Sequence, residues 1–193
     1  MTYQEQNFTH LLGTPGFSDK LLTTHFGLYS GYVKNTNKAL ELLQSLAAGT
    51  PEWSEVKRRF GWEFNGMRLH ELYFENLGKK KTTLGEHTSL SKLMVEAFGS
   101  AQKCQDAFVT TGKMRGIGWV IMAYDSVAKK IFHVWINEHD VGHLAGTVPL
   151  LVLDVFEHAF ITDYNMDRAA YITAFINAID WDVVQKRFEK AKP

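Results

Sequence analysis

The chain of 193 residues has a single cysteine, no surplus of either charge and no apolar run long enough to cross a bilayer. Each shortage excludes something. Cys104 has no second cysteine with which to form an internal disulfide. With 21 Lys and Arg against 21 Asp and Glu, the formal net charge is zero. That balance removes any bulk electrostatic pull toward nucleic acid or an anionic membrane, and neither is expected as a partner. The polar opening Met1-Thr2-Tyr3-Gln4-Glu5-Gln6 lacks the charged-then-apolar pattern of a secretion signal. A reduced, cytoplasmic protein is therefore expected. No internal repeat or low-complexity tract is visible. What the chain does have is apolar mass, 45% hydrophobic and 13% aromatic, enough for one sizeable core or two closely joined ones.

Apolar periodicity divides the chain near residue 83, into a helical unit over 1–83 and a mixed unit over 84–193. Leu21, Leu28, Tyr32, Ala39 and Leu43 recur at helical spacing within 18–46, and His25 lies on the same stripe. Gly49-Thr50-Pro51 stops that helix and starts another, with Thr50 as N-cap and Pro51 at the first helical position. Residues 62–77 read as a further helix ended by Gly78. Lys79-Lys80-Lys81 then reads as a solvated linker. In the second unit, 89–98 and 100–111 read as helices around Gly99. Segments 118–124 and 130–137 read as a hairpin about Asp125-Ser126, and 149–153 as a buried third strand. Helical segments are expected from about Phe156, Arg168 and Asp182.

The segment "LDVFEHAF", residues 153–160, ends the third strand on Asp154 and sets His158 four positions later. Burying such groups without partners is costly. A metal ion would satisfy both, and so would a plain hydrogen bond between a core histidine and a helix-starting aspartate. Two more histidines sit on apolar helix faces: His25 on the first helix, and His70 among Phe64, Met67, Tyr73 and Phe74. Together the four make a candidate His3Asp site joining the two units. Spacing alone does not establish that they converge.

Several segments resemble the iron/manganese superoxide dismutase family, over about residues 18–188. "LDVFEHAF" is similar to its D-x-[WF]-E-H-A-[FY] signature, "FNGMRLHELYF" to its second helix and "HFGLYSGYVKNTNKAL" to its first. "GIGWVIMAYD" resembles the G-x-G-W strand, and "AFINAIDWDVVQKRF" the C-terminal N-x-x-x-W helix. The resemblance implies an α+β fold, an N-terminal antiparallel helical hairpin followed by an α/β domain with a three-stranded antiparallel sheet. It implies His25, His70, Asp154 and His158 as ligands of one iron or manganese ion, with disproportionation of superoxide to dioxygen and hydrogen peroxide as the reaction. Tyr32 corresponds to the active-site tyrosine. The family places a Gln or His against the metal-bound solvent. The helix position four before His70 is Gly66, so the loop "NEHDVGHLAGTVP" must supply that group; His139 is assigned and His143 is the competitor. The loop histidine favours iron slightly. Trp119, Phe156 and Trp181 are expected to wall the pocket. Homodimers or homotetramers are implied, with Glu157 bonding His158 of the other subunit.

The sequence also departs from the family pattern. His25 and Tyr32 stand one residue closer than in the usual H-x-x-x-H-H-x-x-Y, and Leu28 and Tyr29 fall where histidines are usual. That shorter spacing fits a regular helix with His25 and Tyr32 still on one face. Phe160 replaces a tyrosine that usually pairs with one of those histidines, so both partners are lost together. A lysine usual near the channel mouth is missing, and slower turnover is expected. The alternatives are a metal-binding family member without dismutase activity, or another mononuclear metal oxidoreductase.

Overall fold

A computed structural model describes residues 2–192. Helix α1, Asp19–Ser45, starts at Ser18, whose Oγ accepts the amide of Leu21. Helix α2, Pro51–Glu75, starts at Thr50, whose Oγ1 accepts the amide of Trp53. Only 46–50 separates the two helices, and they pack along each other as a hairpin.

The expected break inside this second helical region does not occur. Helix α2 runs 25 residues through Gly61. One glycine costs a helix about 1 kcal/mol relative to alanine, too little to interrupt a helix packed along its partner. The second helix therefore spans what the sequence suggested were two. Residues 78–88 carry neither helix nor strand, and Lys79, Lys80 and Lys81 are exposed.

Helices α3, Ser89–Phe98, and α4, Ala101–Gly112, follow, hinged at Gly99 with φ +86°, a left-handed cap that suits glycine. Strands β1 (Gly118–Asp125), β2 (Lys130–Asn137) and β3 (Val148–Asp154) form an antiparallel sheet of order β2-β1-β3. Central strand β1 is buried from Gly118 to Tyr124, as its continuous apolar run requires. Its register sets Trp119 beside Asp154, the last residue of β3.

After β3 the expected helix from Phe156 is instead a 3₁₀ turn, Glu157–Ala159, followed by the single turn α5, Ile161–Tyr164. Phe156 itself is extended, and Asn165 at φ +49° ends α5. Helices α6, Arg168–Ala178, and α7, Trp181–Ala191, complete the fold. The Arg187 guanidinium donates to the carbonyls of Leu72 and Leu150, to Asn76 Oδ1 and to Glu75 Oε2, tying α7 to the end of α2 and to β3. The architecture is α+β.

Candidate metal centre

Four side chains far apart in sequence meet where the helical hairpin touches the end of β3. His25 comes from α1, His70 from α2, Asp154 from the end of β3 and His158 from the 3₁₀ turn. One donor atom from each lies within 4.8 Å of every other. Asp154 Oδ1 accepts the Phe156 amide at 2.8 Å, which turns Oδ2 toward the three imidazoles. His158 Nε2 lies 3.1 Å from Oδ2, His25 Nε2 3.2 Å and His70 Nε2 3.7 Å.

Those separations suit donors on one small coordination sphere, since metal bonds of roughly 2.0–2.2 Å set neighbouring donors about 3–4 Å apart. A second sign is the state of His70. Its Nδ1–H donates to the carbonyl of Gly66 at 2.6 Å, which leaves Nε2 as a bare lone pair. That Nε2 is buried with no hydrogen-bond partner. An orphaned buried acceptor aimed at a carboxylate and two other imidazoles has a cation as its natural partner.

Charge follows geometry. Burial lowers the pKa of His25, against the hydrogen bond and charge of Asp154, and lowers that of His70 well below the ordinary value. Burial alone would raise Asp154, but the imidazoles around it, His158 first, hold it below the usual carboxylate range. Burial opposes protonation of His158 too, yet the charge and hydrogen bond of Asp154 together raise its pKa. Asp154 thus favours positive charge beside it, the role that a bound cation would take over.

A second layer lies beside the four donors. Trp119 Nε1–H donates to His139 Nδ1 at 3.0 Å. An indole N–H can only donate, so His139 Nδ1 is the bare nitrogen and Nε2 carries the hydrogen in the neutral ring. Burial keeps that ring neutral, with its pKa pushed down to about 4. Nε2 lies 2.8 Å from Tyr32 Oη, so His139 donates and Tyr32 accepts, leaving the phenolic hydrogen free to point elsewhere. Tyr32 stacks on His70 with ring centroids 5.1 Å apart. Burial, followed by the charge of Asp154, raises its pKa to about 12.

His139, rather than His143, faces Tyr32. His143 is exposed and donates through Nε2 to the carbonyl of His139, holding the loop from behind. Trp119 and Phe156 border the cluster, Trp119 packing edge-on against His70 and Phe156 stacking on His139 and His158. Trp181 does not. It begins α7 and lines a surface depression with Lys81, Thr82 and Met94, its amide bound to Thr82 Oγ1, because α7 packs on β3 and meets residues 79–88 there. Trp62 is the aromatic that sequence reasoning missed, with its ring 4.4 Å from His139 and 5.5 Å from Tyr32. The available signal was spacing, since Trp62, Gly66 and His70 fall at four-residue intervals on one helix face. Tyr171 was missed as well; it donates to the backbone carbonyl of Asp154 at 2.8 Å.

Gly66 explains how Tyr32 fits. A Cβ there would lie 2.5 Å from the Tyr32 ring, so only glycine lets the phenol lie flat on α2. Helix α1 is uninterrupted from Asp19 to Ser45, and the seven-residue step from His25 brings Tyr32 to the same face. Leu28 is 39% exposed, while Tyr29 is buried and donates to Glu71 Oε1. Phe160 is buried and stacks on Tyr171.

Residues 86–187 match the family model described as iron/manganese superoxide dismutases, C-terminal domain. The chain belongs to the iron/manganese superoxide dismutase family. A superoxide dismutase [Fe] of Aquifex pyrophilus is 34% identical over 91% of this chain and 86% of its own length. One of Cupriavidus metallidurans, also named superoxide dismutase [Fe], is 34% identical over 91% of this chain and 90% of its own. Superoxide dismutase [Mn] 2 of Haloferax volcanii is 32% identical over 92% and 89%. Relatives of both metal types thus span most of this iron/manganese dismutase-family chain.

Proposed function

We propose that this chain is a superoxide dismutase in which His25, His70, Asp154 and His158 hold one iron or manganese ion. The observation that carries the reading is the convergence of three imidazole nitrogens on Asp154 Oδ2, one of them buried without a partner. Membership of the family and similarity to dismutases over nine-tenths of the chain support it.

Two superoxide radicals and two protons give one dioxygen and one hydrogen peroxide. A bound iron or manganese ion would supply a one-electron couple, so that the two like-charged radicals react in separate encounters. The chain's own residues do the rest. His25 and His70 are held neutral by burial and Asp154 anionic, the protonation states in which each can donate a lone pair. Tyr32 keeps its proton at neutral pH. Because its oxygen already accepts from His139, its hydrogen is available to an incoming anion, which offsets the charge of a peroxide product. Trp119 orients His139, while the Trp119 and Phe156 rings keep bulk water from that side.

A histidine, His139, rather than a glutamine as the loop residue bonded to Tyr32 supports iron slightly over manganese as the ion the site would hold. A homodimer or homotetramer is supported by Glu157, which is exposed, and by His158, whose side chain is 23% exposed at an otherwise closed site. A reduced compartment, the cytoplasm, fits a lone buried cysteine, and the division of the chain near residue 83 fits the stretch at 78–88, which carries neither helix nor strand. Among the described residues no helix is long and apolar enough to cross a membrane.

Protein reconstituted with iron or manganese is expected to bind about one ion per chain and to accelerate superoxide decay. Loaded protein without effect on the decay would end this reading. His70→Ala is expected to lose the ion. Inactivation by hydrogen peroxide is expected of the iron form, and survival would argue for manganese.

A further inference from the structure

The residue immediately before His139 is in an unfavourable conformation. Glu138 has φ +51°, the left-handed region that non-glycine side chains avoid, and it lies in a three-residue loop closed by the paired backbones of Asn137 and Val141. A glycine would take that conformation without cost. Compensation comes from α2, where Trp62 Nε1–H donates to Glu138 Oε2 at 3.0 Å across 76 residues of sequence.

Trp62 is itself clamped. The Arg59 guanidinium stacks 3.6 Å from its ring centroid and is held by an ion pair with Glu63 at 2.8 Å. The indole meets the His139 ring edge-on at 4.4 Å, while Phe156 stacks on His139 at 4.8 Å. His139 therefore has an aromatic neighbour from α2 and another from the segment after β3, and its own loop is fastened to α2 one residue earlier.

We propose that Trp62 and Glu138 form a latch that positions His139, holding the left-handed turn so that Nε2–H stays directed at Tyr32 Oη. Trp62 and Glu138 are positioning residues. They act on the reaction only through His139, and the inference rests on the reading of Tyr32 and His139 as the proton-serving pair. Arg59 and Glu63 fix the rotamer of the indole. The bond from Trp119 fixes which nitrogen carries the hydrogen; the latch fixes where that hydrogen points.

The test uses the whole metal-free protein, with nitrogen NMR of its imidazoles, and needs no turnover. Wild-type protein is expected to show His139 protonated at Nε2, with slow exchange of that hydrogen with solvent. Trp62→Phe keeps a ring against His139 but removes the donor, and Glu138→Ala removes the acceptor while keeping the conformational cost. Each is expected to speed exchange of the Nε2 hydrogen by roughly two- to tenfold, the size of one net hydrogen bond. Glu138→Gln retains an acceptor oxygen and is expected to exchange at the wild-type rate. Wild-type exchange in both Trp62→Phe and Glu138→Ala would overturn the latch. So would fast exchange in Glu138→Gln equal to that of Glu138→Ala, since charge rather than the bond would then be responsible. Faster exchange in the first two variants, in a wild-type protein that fails to accelerate superoxide decay when loaded, would leave the latch standing and remove the dismutase reading.

Discussion

At the scale of single residues, the site depends as much on what is missing as on what is present. Gly66 has no side chain, and the Tyr32 ring fills the space a Cβ would need. Its carbonyl meanwhile takes the Nδ1 hydrogen of His70. One residue thus fixes both the place of a phenol and the free nitrogen of an imidazole. Gly66→Ala is expected to destabilise the protein by about 1–3 kcal/mol, as overpacking does, and to lower superoxide turnover while the ion is retained. Denaturant unfolding and metal analysis of the variant check this; wild-type stability would mean that Tyr32 has room to spare. The four candidate ligands were legible mainly through the resemblance of their segments to the family, with a strand-end aspartate and histidines on apolar helix faces as the chemical hint at Asp154, His25 and His70. Trp62 and Glu138 were not. The bond between them joins residues 76 apart, and a left-handed φ at a glutamate leaves no trace in composition.

At the scale of elements, α3 and β2 have the limits that their residue patterns suggest, 89–98 and 130–137. Local punctuation marks them well, with Gly99 closing α3. The structure departs from the expected limits where tertiary packing overrode local signals, as at residue 62, where α2 runs on without a break, and in the short 3₁₀ turn after Phe156. The pairing of α1 with α2 has its own fastening. Tyr29 is fully buried, accepts the Gln6 amide and donates to Glu71, whose other oxygen is bound by Arg68. Tyr29 follows His25 by one helical turn, and Glu71 adjoins His70. Tyr29→Phe strips a buried carboxylate of one partner and should cost about 1–3 kcal/mol of stability. Adding Glu71→Leu removes the orphaned acceptor and frees Arg68, whose side chain is 43% exposed and can turn to water, so part of that loss should be recovered. Equal midpoints for wild type and Tyr29→Phe in denaturant would show the bond to contribute nothing.

For the whole molecule, the site is closed on three sides by α1, α2 and the end of the sheet, and open at His158, whose side chain is 23% exposed. Glu157 beside it faces solvent in the single chain. A second copy seated there would complete the enclosure. Glu157→Ala is therefore expected to weaken self-association on dilution, seen by sedimentation, and to speed loss of the ion. Unchanged association, or a wild type that stays monomeric, would remove Glu157 from any such interface.

The donors at 25 and 70 precede those at 154 and 158, and the strand that carries Asp154 is held in place by β1 on one side and by α7, through Arg187, near the far end of the chain. A ribosome that has released only the helical hairpin has therefore made two of four donors, too few to retain a cation firmly. If these four donors hold an ion as proposed, capture would be a late event in biosynthesis, and a bound ion would mark copies in which the strand bearing Asp154 is already in place.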